Sequence, residues 1–143
     1  MKRYKDLTYR GQALRLRRLG EKALAERDFD YDEMRFIFHG ENTTFRVIRG
    51  EKSWLLRIHR PGYQTTAAIE SELAWLRALS QDTELDVPTP VGGVQHVSIE
   101  GVDTTRRVVL FEWVHGRFHE TFVPARMRRT GRLLATLHGH AAS

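Results

Sequence analysis

The chain has 143 residues, the size of one ordinary domain, and its 41% hydrophobic content can bury a core without metals or disulfides. The absence of cysteine excludes a disulfide framework, a thiol nucleophile and a cysteine-ligated zinc. No apolar run approaches the roughly 18 to 20 residues that span a bilayer, and residues 1–20 alternate charge with leucine where a signal peptide would be apolar; a cytoplasmic protein without membrane insertion is expected.

The net charge of +5 is concentrated at one end, where residues 1–25 hold eight Lys or Arg against only Asp6 and Glu21. In the same region apolar residues recur at helical spacing from Thr8 to Arg27: Ala13, Leu14, Leu16, Leu19, Ala23 and Leu24. This predicts a basic amphipathic helix whose charged side is a solvated outer face. A role in nucleic-acid binding, shared with Arg126, Arg128, Arg129 and Arg132, is not favoured, because no helix-turn-helix or RNA-recognition signature accompanies the charges.

After an acidic turn at 28–33, three short β-rich runs follow: Met34–Phe38, Thr43–Ile48 and Trp54–Ile58, separated by Gly40 and by Gly50-Glu51. Pro61-Gly62 ends the series. Residues Thr65–Leu79, free of Gly and Pro, predict a second helix, and Asp82–Pro90 a loop. Two further strands are expected at Val94–Ile99 and Arg107–Val114, then a crossing segment from Gly116 and Phe118, then a helix over Pro124–His138 with proline in its first turn. The hairpin-length connections predict an α+β fold with a mostly antiparallel five-stranded sheet packed on a helix.

Three places carry candidate chemistry. The turn Gly40-Glu41-Asn42-Thr43-Thr44 is either an ordinary β-turn or a loop offering N–H groups and hydroxyls to phosphate. It lacks the three-glycine spacing of a Gly-rich kinase loop and the Lys-Ser/Thr pair of a Walker loop. Strand alternation places Leu55, Arg57 and His59 on one face, opposite Trp54, Leu56 and Ile58. A guanidinium there either snorkels to water or needs an acid partner. Glu72 falls within the apolar stripe of Ile69, Leu73, Leu76 and Leu79, whereas Glu70 falls outside it, so Glu72 is the matching carboxylate. Such a pair serves either structure alone or a ligand. The third place is Val108–Gly116, an apolar strand that ends in a charged and aromatic stretch and then a glycine, which is either plain core before a turn or a strand end offering backbone groups to a flat aromatic ligand.

Six segments in order, Gly40–Val47, Leu55–Gly62, Glu72–Leu76, Val87–Pro90, Phe111–Arg117 and Leu133–His138, resemble the aminoglycoside phosphotransferase, choline kinase and homoserine kinase superfamily, which has a protein-kinase-like fold. The resemblance runs from about Met34 to the C-terminus and is similar in character to the stress-response protein-kinase-like bacterial branch. Residues 1–33, the basic helix and turn, precede it as an added element, and the resemblance implies a nucleotide-binding smaller lobe at 34–115 and, at 116–143, the exit from the hinge with the first helix of the larger lobe. It also implies ATP and Mg2+ as cofactors and a small-molecule or protein hydroxyl as acceptor.

By the same resemblance, Gly40, Glu41, Asn42, Thr43 and Thr44 lie over the ATP phosphates, and Arg57 stands where kinases usually place a lysine, paired with Glu72. Phe111, Glu112 and Trp113 form the interlobe hinge, while Val47, Leu55 and Leu110 line the base pocket. Arg in place of Lys is a departure, since a planar fork contacts phosphate differently from a point charge. The larger departure is that the family's catalytic Asp, its Asn and its metal-binding Asp follow a helix ending near Leu137-His138. No Asp occurs after Asp103, so the chain is expected to be catalytically inactive, with no catalytic or metal-binding residue of its own. His138-Gly139-His140 has no adjacent carboxylate and is expected to be an ordinary helix end. The alternative reading is a non-catalytic module that reuses the lobe and pairs as a homodimer through the interlobe face.

Overall fold

The computed structural model describes residues 1–117 and 119–143; Phe118, expected to open the crossing segment, lies outside the described residues. A 3-10 turn at Tyr4–Asp6 precedes α1 (Tyr9–Glu26), which starts where the Thr8 hydroxyl accepts a bond from the Gly11 N–H at 3.2 Å. It ends with Asp28 in the left-handed region at φ 51, where Asp28 N bonds Ala25 O and Phe29 N bonds Leu24 O, both at 3.0 Å. This crossed pair satisfies two carbonyls that the last turn would leave bare.

The sheet comprises β1 (Glu33–His39), β2 (Asn42–Arg49), β3 (Lys52–His59), β4 (Pro90–Val97) and β5 (Arg106–Glu112), ordered β1-β2-β3-β5-β4 with every pairing antiparallel. Helix α2 (Thr66–Asp82) connects β3 to β4, and its N-terminus is capped by Thr65, whose hydroxyl accepts from Ala68 N at 3.1 Å. β4 begins at Pro90, four residues earlier than its apolar run predicts. As an edge strand it tolerates the missing proline N–H, and the glycines at 92 and 93 fall in a register shift between Val91 and Gln95.

The expected α+β layout and antiparallel sheet are present, but both faces of the sheet are covered. Leu16, Leu19, Ala23 and Leu24 of α1 pack against Met34, Phe45, Val47, Leu56, Ile58, Val97, Val108 and Leu110, forming the larger core. Ile69 and Leu73 of α2 pack against Val109 and Phe111 on the opposite face. The basic amphipathic helix is therefore a wall of the main core. Arg10 and Arg18 are exposed, whereas the half-buried Arg15 and Arg17 donate to Gly101 O at 2.6 Å and Met34 O at 2.7 Å, and the apolar stripe contributes about 1.5–3 kcal/mol for each large side chain fully buried. Gly20 permits the close approach: a Cβ there would lie 2.8 Å from Leu56 Cδ2, a side chain with no room to yield.

Helix α3 (Pro124–Ala142) has no buried residue, and Met127, Leu133 and Leu134 are exposed. Its last turn is tethered to α2 through His140, whose Nδ1 accepts from Trp75 Nε1 at 3.2 Å and whose Nε2 lies 2.9 Å from Asp82 Oδ2. Among the described residues, no helix is long and apolar enough to cross a membrane.

Candidate functional site

The β2–β3 and β3–β5 registers decide what shares the α2 side of the sheet. Thr44 stands opposite Arg57, and Arg46 opposite Leu55, while Arg57 faces Val109 and Leu55 faces Phe111 across the other ladder. Since side chains directly opposite one another project to the same face, Thr44, Arg46, Leu55, Arg57, Val109 and Phe111 form one surface. Val47 and Leu110, expected beside Leu55, project to the α1 face and are fully buried there. Neither reaches the α2-side surface, and β2 offers Arg46 where Val47 was expected. The reason is the period of two: a one-residue error in aligning β2 with β3 moves every side chain to the wrong face.

Arg57 is fixed on three sides. Its Nη1 and Nη2 donate to the two carboxylate oxygens of Glu72 at 3.0 and 2.8 Å, a bidentate fork, and its Nε donates to His59 Nε2 at 3.2 Å. Its guanidinium carbon lies 4.7 Å from the centre of the Phe111 ring. The Arg57 side chain retains 17% exposure and that of Glu72 32%, so the pair sits at a surface, neither sealed in the core nor free in water. A guanidinium has five N–H groups and three are used, which leaves two for an incoming acceptor.

His59 is 3% exposed, and burial, followed by the nearby Arg57 charge, pushes its imidazole down to about 4. It is therefore neutral near pH 7, and its lone pair is free to accept from Arg57. The unfolded chain takes up this proton near pH 6.5 and the folded chain only near pH 4, so the unfolded state binds more protons between those values. Stability is expected to fall by about 2–3 kcal/mol as pH drops from 6.5 to 4. Urea unfolding at stepped pH checks this: His59→Gln, which keeps an acceptor for Arg57, must show a shallower loss than wild type, and parallel curves would refute the assignment.

Gly40 and Glu41 make a two-residue turn between β1 and β2, closed by Gly40 N to Asn42 O at 2.9 Å. Asn42, Thr43 and Thr44 are already in β2. Thr43 is buried, and its hydroxyl is engaged by His39 Nδ1 at 2.6 Å, so it does not join Thr44 on the Arg57 side. Asn42 Oδ1 is buried without a hydrogen-bond partner among the described residues. The turn is anchored to α1, since His39 Nε2 lies 3.1 Å from Gln12 Oε1 and the His39 backbone N–H donates to the Tyr9 hydroxyl at 3.1 Å.

At the end of β5, Glu112 N donates to Thr89 O at 2.8 Å and Trp113 N to Ser53 O at 3.3 Å. Those two amides are spent on the protein itself. The first N–H past the strand without a hydrogen bond among the described residues is that of Val114, one residue beyond the hinge expected at 111–113. Arg46 stacks over Trp113 at 4.6 Å and donates from Nε to Ser53 Oγ at 3.0 Å, and Arg46 and Trp113 with Val114 border a hollow of about 530 Å³.

The α2-side surface thus combines a held cation with spare donors, the partly buried Leu55 side chain, and an open amide at the strand exit, while Phe111 lies in the core beneath the Arg57 guanidinium. These residues fit a nucleotide. Among the described residues, no group of three or more His, Cys, Asp or Glu side chains that could hold a metal ion is brought together.

Residues 15–143 match the phosphotransferase enzyme family (APH). A solved structure, a microcompartment-associated aminopropanol kinase, is 35% identical and superposes with a TM-score of 0.66 over 84% of this chain and 39% of the kinase. An uncharacterized protein of Deinococcus radiodurans is 33% identical over 104 residues, 71% of this chain and 30% of its own length. The chain therefore spans well under half the length of either relative. With a family match across most of its length and a kinase sharing its fold, the chain belongs to the phosphotransferase enzyme family.

Proposed function

We propose that the chain is the ATP-binding lobe of an ATP-dependent phosphotransferase acting on a small-molecule or protein hydroxyl. The observation that carries this reading is the bidentate Arg57–Glu72 pair, held beside Leu55 and Phe111 on the same face of the sheet. A structural ion pair has no need of spare donors at a surface, whereas a phosphate contact does. ATP supplies the phosphoryl group when bound. Arg57 orients the phosphates, Leu55 covers one side of the base, and Val114 N with the neighbouring backbone reads its edge.

The described residues alone transfer no phosphate in this reading, because positioning the acceptor and bridging the phosphates with magnesium require carboxylates that they do not bring together. Half of a cleft binds weakly. Titrating isotope-labelled protein with ATP is expected to shift the amides of Thr44, Leu55, Arg57, Phe111 and Val114, with a Kd of about 1 mM or weaker. An absence of shifts at those positions at saturating nucleotide would overturn the reading.

The exposed α3 surface, with Met127, Leu133 and Leu134 uncovered, favours a second reading, a non-catalytic module that pairs through this face. Light scattering separates the two: a dimer that persists at low micromolar protein and gives no nucleotide shifts supports the module, and a monomer excludes it.

A further inference from the structure

On the α1 face, opposite the Arg57 surface, the 3-10 turn, the start of α1, the β1–β2 turn and the β4–β5 connection enclose a pocket of about 980 Å³. Its floor is Arg106, which is 5% exposed. For a buried guanidinium it is poorly satisfied: its one side-chain hydrogen bond among the described residues runs from Nη2 to Asp103 at 3.4 Å, and its Nε has no partner. Asp103 is itself half exposed, a weak counter-charge. The Tyr4 ring lies 5.0 Å from the Arg106 guanidinium carbon and supplies only its π face.

A second cation worsens the imbalance. Arg60 borders the same pocket, and its charge acts against that of Arg106 and also helps hold His39 below its usual value, after burial and Arg106 itself. Lys5 adds a third positive charge, against Glu41 and Asp103. Buried charges without adequate partners are costly, and a fold that keeps one facing an open pocket is arranged for a charge that arrives from outside. Tyr4 and Tyr9 line the walls, giving the arriving group an aromatic surface beyond its charged end.

We propose that this pocket is a second binding site, distinct from the Arg57 surface, for a small organic oxyanion whose carboxylate or phosphate is held by Arg106 and Arg60 and whose body rests on the tyrosine rings. Its volume suits a ligand the size of a substituted benzene ring or larger. Gly40 and Glu41 belong both to the pocket rim and to the turn next to Thr44, so an occupant touches that turn from behind.

The test uses phenyl phosphate and benzoate as probes, with benzyl alcohol as the uncharged control, each titrated into isotope-labelled protein. Both anions are expected to shift the amides of Tyr4, Tyr9, Thr104 and Arg106, with a Kd of about 1 mM or tighter, and benzyl alcohol is expected not to. If only phenyl phosphate binds, the site is specific for phosphate esters; if both bind, it reads the oxyanion alone. Arg106→Met is expected to weaken binding at least tenfold. Because a buried substitution can unfold the chain, Arg60→Ala, at an exposed position, provides the independent reading and is expected to weaken binding at least threefold with the fold intact. Shifts confined to Thr44, Leu55 and Phe111, or equal affinity in Arg60→Ala and wild type, would overturn the second site while leaving the nucleotide reading untouched.

Discussion

Arg57→Met is expected to destabilise the fold by about 1–3 kcal/mol and to remove the nucleotide-induced shifts at Thr44 and Phe111. Removing the guanidinium leaves the partly buried Glu72 carboxylate without its partner and His59 Nε2 without its donor. Breaking a fully buried pair costs about 3–5 kcal/mol, and the partial exposure of both side chains reduces this. Glu72→Leu added to Arg57→Met removes the stranded charge, so the double variant recovers most of the lost stability but none of the nucleotide response. Chemical denaturation of the four species in the cycle checks the first part, and an ATP titration checks the second. Recovery of nucleotide binding in the double variant would show that the pair is only structural.

Leu19→Ala is expected to cost about 2–5 kcal/mol, which approaches the whole stability of a domain this size. Leu19 has no exposed surface and lies in the α1 stripe that packs on the sheet. The matched control is Leu14→Ala on the same helix, where the side chain is exposed and the change is expected to stay within about 0.5 kcal/mol. A calorimetric melt of each variant distinguishes a core helix from an appended one. Near-equal melting temperatures for the two variants would place α1 outside the cooperative unit.

Much of this architecture is written locally. The alternation in residues 54–59 and the Gly50-Glu51 turn define β3 and its hairpin, and the position of Glu72 within the α2 stripe identifies the partner of Arg57 before any coordinates are known. What local pattern does not encode is how separate elements are set against one another. Val47 and Arg46 are adjacent in sequence, and only the pairing of Arg46 with Leu55 reveals which one stands beside Arg57. The Glu112 and Trp113 amides look available until Thr89 and Ser53 are seen to use them, so Val114 emerges only from the hydrogen-bond ladder. The depth of α1 was masked for a similar reason. Its charges are conspicuous in one dimension, while the sheet face that receives its leucines is assembled from five distant strands.

That assembly also sets an order of events during synthesis. β1, β2 and β3 form a meander of neighbours, but β3 acquires its other partner, β5, only after α2 and β4 have been made. Until residues near 112 have emerged, β3 has an open edge and the α1 leucines lack Val97, Val108 and Leu110 beneath them. Long-range closure of this kind slows folding and prolongs exposure of sticky surface. A ribosome that stalls within α2 would therefore present a nascent chain with an unpaired strand and an uncovered apolar helix, the state in which chaperone capture or aggregation is decided.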